Sequence, residues 1–144
     1  MLRIYARFAQ GLTICAALAG GTLFGGVSGH ITSLGYTEYY DPGDTLFCTG
    51  QATVNFDGGN HDIAIIQYTG RDHFDDVLWI GLGEQINGSG TGDYDLSYAF
   101  EKQVPNGPFP PVYVLHVVKL IARDSTEQFS TLLLDSETGN SNRN

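Results

Sequence analysis

Beyond about residue 30, this 144-residue chain nowhere repeats its apolar residues at the 3.6-residue spacing of a helix; it alternates them, in short runs broken by turn-forming clusters. The clearest run is TLFCTGQATVNF, which puts Leu46, Cys48, Ala52, Val54 and Phe56 on one face and Thr45, Thr49, Gln51, Thr53 and Asn55 on the other. Asp41-Pro42-Gly43-Asp44 precedes it and Asp57-Gly58-Gly59-Asn60 follows, so the run is a strand between two turns. Similar runs cover residues 62–68, 77–82, 94–100, 112–122 and 128–134, with a short first strand near 31–34. About seven strands in one small domain predict an all-β, immunoglobulin-like antiparallel β-sandwich. The run VYVLHVVKLIA is apolar on both faces and belongs in the middle of a sheet.

The start of the chain reads differently. Arg3 and Arg7 are followed by an uncharged stretch over residues 8–27, rich in glycine and ending in small residues. Residues 1–29 therefore read as a signal peptide cleaved after Gly29, with residues 30–135 as the sandwich and 136–144 as a polar flexible tail. Cys15 leaves with the signal, so Cys48 remains as a single cysteine with no internal partner. It is expected either in the core or in a dimer-forming bridge to a second chain. No second apolar segment follows, so the mature chain is expected to have no membrane span and to be secreted and extracellular.

Composition narrows the function classes. Seven basic residues against sixteen acidic ones give a net charge of −9, and both Arg3 and Arg7 lie in the signal segment. A chain so poor in Lys and Arg is not built to bind nucleic acid. Catalytic signatures are missing too. No serine sits in a Gly-x-Ser-x-Gly elbow. Asp93 and Asp95 are strand neighbours on a solvent face, with nothing to place them across a glycosidase cleft. The acidic segment Arg71-Asp72-His73-Phe74-Asp75-Asp76 lacks the spacing and internal glycine of a calcium loop and reads as a solvated turn. His116 shares a face with Val114 and Val118 and reads as a hydrogen-bonded core histidine. The chain is thus expected to be no enzyme and to carry no cofactor. One alternative is kept: cleavage after Gly29 would make His30 the first residue, and its amino group and imidazole, with a second histidine from His61, His73 or His116, could hold copper for an oxidative enzyme.

Recognition is the better-supported class. Tyr36, Tyr39 and Tyr40 cluster before the first turn, and with Trp79 they form a candidate binding set, since such rings supply contact area at low entropy cost. The same four could instead serve a cell-wall or carbohydrate-binding module as stacking platforms. Asn87-Gly88-Ser89 is an N-glycosylation sequon, which suits a secreted glycoprotein. Loop-borne function is expected after Tyr68, around residues 87–92, or over 104–111.

Ile31, Pro42-Gly43, Leu82-Gly83, Val104-Pro105 and the Tyr113 to Leu115 opening of a long penultimate strand together resemble the necrosis-inducing secreted protein family of fungal effectors. The likeness covers most of residues 30–134. It implies a non-enzymatic virulence protein delivered to a host plant, where such effectors bind receptor-like and receptor-associated immune kinases and suppress immunity, with host translocation as a further option. The chain departs from that pattern at Phe109-Pro110-Pro111, at its lone Cys48 and in its polar tail.

Overall fold

The structure is a computed structural model that describes residues 4–7, 26–88, 91–127 and 130–144. Among these the alternating runs become nine strands: β1 (Ile4–Arg7), β2 (Val27–Thr37), β3 (Tyr39–Tyr40), β4 (Thr45–Asp57), β5 (His61–Arg71), β6 (Val77–Asn87), β7 (Thr91–Gln103), β8 (Tyr113–Asp124) and β9 (Thr131–Arg143). One sheet has the order β1-β2-β4-β7 and the other β3-β9-β8-β5-β6. All neighbours are antiparallel except β3, which runs parallel to β9. The expected all-β sandwich is what forms, and the run β9-β8-β5-β6 follows the G-F-C-C′ order of immunoglobulin-type sheets. No helix among the described residues is long and apolar enough to cross a membrane.

The core lies where the alternation put it. Leu46, Cys48, Ala52, Val54 and Phe56 of β4 are all buried; the last four pack with Ala64, Ile66 and Tyr68 of β5 and Val118, Leu120 and Ala122 of β8, and Leu46 packs with Tyr40, Val104 and Val114. Burying each of the larger side chains stabilises the fold by about 1.5–3 kcal/mol. Tyr68 and Phe100 stack across the two sheets with centroids 4.6 Å apart and planes 14° from parallel. As expected, β8 is central, and its His116 is fully buried.

That histidine sits in a closed polar chain. Ser141 Oγ donates to the Thr37 carbonyl, so its one proton is used, and the 2.7 Å contact with His116 Nε2 must be a bond donated by the ring. Nδ1 is then an acceptor, taking the Tyr68 hydroxyl proton at 2.8 Å. Desolvation holds the imidazole neutral, with its pKa pulled down to about 4. The polar side-chain atoms of His116, Tyr68 and Ser141 all have partners in this network, so a buried histidine is tolerated between two sheets.

Two expectations need correction, the flexible tail and the option of a dimer through Cys48. Residues 136–144 are no flexible tail: β9 continues through Arg143, paired with β8 along its length and with β3 at its end. Its Ser, Thr, Glu and Asn residues give no strand signal, yet the β8 backbone pairs with it along its length and β3 joins at Asn142 and Arg143, and Gly139 and Ser141 are buried. To the seven runs read from the sequence the structure adds two short strands, β1 and the two-residue β3, which gives nine among the described residues. β2 begins at Val27, two residues ahead of the expected cleavage after Gly29: Val27 pairs with Phe56, and Gly29 pairs with Val54. The segment 8–25 of the expected signal lies outside the described residues, while Ile4–Arg7 pairs with β2 from Thr37 back to Leu34. Finally, Cys48 faces the core at 1% exposure, and burial pushes its thiol pKa up to about 12. A dimer through Cys48 would require β4 to turn inside out.

Candidate functional site

Strand direction gathers three connections at one end of the sandwich: residues 41–44, 72–76 and 104–112, beside β3 and the end of β9. The longest of them is clamped on both sides. Its first residue, Val104, is buried with Tyr40, Leu46 and Val114, and its amide donates to the Asp44 carbonyl at 2.8 Å. At the far side the buried Tyr40 hydroxyl donates to the Pro111 carbonyl at 2.7 Å, and burial raises that hydroxyl's pKa to about 12, so the proton stays in place. The Arg143 guanidinium donates to the Pro110 carbonyl and its amide to that of Val112, both at 3.0 Å. Four of the chain's five prolines, Pro105, Pro108, Pro110 and Pro111, lie in this loop, which restricts its backbone further.

Between the clamps the loop lifts Phe109 into solvent, 92% exposed. The neighbouring 72–76 turn does the same with Phe74, 72% exposed. It is stiffened by Asp72, whose carboxylate accepts from the Phe74 amide at 2.8 Å and the Asp76 amide at 2.9 Å. Asp75 adopts a left-handed backbone, φ 66°, that an aspartate tolerates better than most residues, and Arg71 donates to its carbonyl at 2.9 Å. His73 joins the two connections: Nδ1 accepts the Val112 amide at 3.3 Å, and its ring lies 4.0 Å from Phe74 and 6.2 Å from Tyr113, centroid to centroid. Six of the nine large exposed hydrophobic residues among those described, Tyr39, Phe74, Val77, Phe109, Val112 and Tyr113, belong to this end. Such a concentration on stiff loops is the usual mark of a contact surface rather than of scattered surface apolars.

The sequence pointed to part of it. Two of the three loop regions singled out, after Tyr68 and over 104–111, meet here, whereas Asn87, Gly88, Thr91 and Gly92 of the third lie at the opposite end. Of the tyrosine cluster, only Tyr39 is exposed. Tyr40 is fully buried and acts as the loop's clamp. Tyr36 lies half-buried over Gly139, where an added Cβ would come within 2.5 Å of its ring, and packs 6.0 Å from His116. Trp79 lies half-buried over Gly70 in the same way. These three rings are occupied by the fold, so the four aromatics do not make a platform for a sugar. Asn87 is exposed at the end of β6, accepting from Gln85 Nε2 at 3.1 Å, while Gly88 behind it is buried; Ser89 lies outside the described residues. Phe74, Phe109, Val112 and Tyr113 were not singled out as binding residues, although four prolines around one phenylalanine were a signal for a presented side chain.

No site for a metal assembles among the described residues: no group of three or more His, Cys, Asp or Glu is placed to hold one. His30 lies in mid-strand on β2, 3.3 Å from Thr53 Oγ1, whereas His61, His73 and His116 all belong to the other sheet or its loops. No protein-family model matches the chain, and no curated protein matches it. Among solved structures, the chain is similar to a Bordetella pertussis protein provisionally assigned as ApaA, at 8% identity over 95% of this chain and 92% of that one, with a TM-score of 0.37, too low to argue from.

Proposed function

We propose that this chain is a protein-recognition module that presents the Phe74 and Phe109 end of its sandwich to a partner. The observation that carries the reading is the 104–112 loop, held by hydrogen bonds to Asp44, Tyr40 and Arg143 and to the His73 ring while it exposes Phe109. A loop ordered before binding loses little entropy on association, so its exposed aromatic can act as an anchor. The resemblance to necrosis-inducing secreted proteins supports a secreted effector that acts in a host plant on immune receptor-associated kinases without turnover. Phe109-Pro110-Pro111, at which the chain departs from that family, then becomes the part that sets partner choice.

The test is a titration of immobilised kinase domains of plant immune receptor-associated kinases with the wild type and with Phe109→Ala. Saturable binding by the wild type and a loss of about 30-fold in the variant are expected for a central aromatic anchor. The thermal midpoint should stay unchanged, because Phe109 contributes almost nothing to the core. No saturable binding, or equal binding by both proteins, would refute the reading.

A further inference from the structure

The charge at the Phe109 end is one-sided. The connections 41–44, 72–76 and 104–112 carry five carboxylates, Asp41, Asp44, Asp72, Asp75 and Asp76, and no Lys or Arg. Arg71 and Arg143, the flanking arginines, are already engaged: Arg71 lies 3.6 Å from the Asp75 carboxylate, and Arg143 donates to the Pro110 carbonyl. Asp75 and Asp76 are exposed and directly follow Phe74 in the turn that lifts it. At the opposite end Asp57, Asp62, Asp124 and Glu127 also stand in or beside the connections 58–60, 88–90 and 125–130, but no described residue of those connections is a large exposed hydrophobic. Among the described residues, exposed aromatic anchors therefore coincide with carboxylates at the Phe109 end.

Resting on the recognition reading above, we propose that the partner surface taken by this end is an apolar socket rimmed by Lys or Arg. An exposed apolar patch alone would accept many occupants; the rim is what selects. Phe109 and Phe74 supply the desolvated centre, where truncation costs affinity, and the aspartates supply the polar margin, where complementary charge speeds encounter and penalises an acidic competitor. The chain's net charge of −9 acts in the same direction at longer range and disfavours anionic membranes and nucleic acid as occupants.

Three synthetic peptides of equal length separate these contributions: one with Trp and Leu flanked by Lys and Arg, one with the same apolar residues flanked by Asp and Glu, and one cationic with Ser in the apolar positions. Each is titrated by fluorescence anisotropy against the whole chain, against Phe109→Ala and against a double variant, Asp75→Asn with Asp76→Asn. Both aspartates are exposed and asparagine tolerates the left-handed backbone at position 75, so the double variant keeps the turn. The cationic apolar peptide should bind at least about tenfold more tightly than the other two. That preference should shrink in the double variant and in 0.5 M salt, and Phe109→Ala should weaken binding of this peptide sharply. Equal binding of the cationic and acidic apolar peptides would overturn the charge inference and leave the recognition reading standing, as would a preference that salt does not reduce. Equal binding of the cationic serine peptide would overturn it as a purely ionic contact. Binding untouched by Phe109→Ala, or no binding of any peptide, would refute both.

Discussion

Acid should loosen this fold through one buried ring. The sign follows from the pKa values: a histidine of the unfolded chain titrates near 6.5, whereas desolvation between the sheets holds His116 at about 4. Between those values the unfolded state binds a proton that the folded state refuses, so stability is full above pH 6.5 and falls as pH drops towards 4. At about 1.4 kcal/mol per pKa unit, the loss between pH 7 and pH 4.5 comes to about 2–3 kcal/mol, a large share of an ordinary domain's 5–15. Neutral His116 also fits its partners: Nε2 donates to Ser141 and Nδ1 accepts from Tyr68, and a proton on Nδ1 would set two donors against each other. The assay is urea unfolding at pH 7.0, 5.5 and 4.5 for the wild type and for His116→Gln. At a typical slope of 1–3 kcal/mol per molar, the wild-type midpoint should fall by roughly 1–2 M across that range. His116→Gln should start less stable at pH 7, by about 2 kcal/mol, since it breaks a buried network, but its midpoint should depend far less on pH. A variant as pH-sensitive as the wild type, or a wild-type midpoint constant from pH 7 to 4.5, would refute the reasoning; the second result needs no folded variant.

Cys48 should be inert in the folded chain, because its thiol is buried and its pKa raised to about 12 by desolvation. Peptide mapping after alkylation should find it modified in urea and unmodified in native buffer; native labelling would contradict its placement. Tyr40→Phe removes the buried donor to the Pro111 carbonyl, so stability should fall by about 1–2 kcal/mol and amide exchange at Val112 should quicken. An unchanged midpoint with unchanged exchange would mean that the hydroxyl does not clamp the loop.

What could be read along the chain was whatever depends on neighbours one or two residues apart. The alternation in β4 placed five side chains on the buried face, and the apolar run of β8 placed that strand at the centre. β9 was legible only in its first residues, since Thr138, Asn140 and Asn142 carry no hydrophobic alternation and are strand because β8 supplies a ladder. Tyr36 and Trp79 looked like contact rings because their glycine platforms, Gly139 and Gly70, lie on other strands, at positions 103 and 9 residues away in sequence. The site followed the same rule: each loop was visible as a turn cluster, but not that 72–76 and 104–112 share an end.

The sequence by itself determined the fold class, the buried face of the alternating strand β4 and the acidic charge, because periodicity and composition are properties of the chain. Tertiary structure alone decided that a polar C-terminal segment is a paired strand, that Tyr40 is a clamp while Phe109 is displayed, and that five carboxylates share that end of the sandwich. Burial and proximity are set by which strands pair, and pairing brings together residues that no local pattern connects.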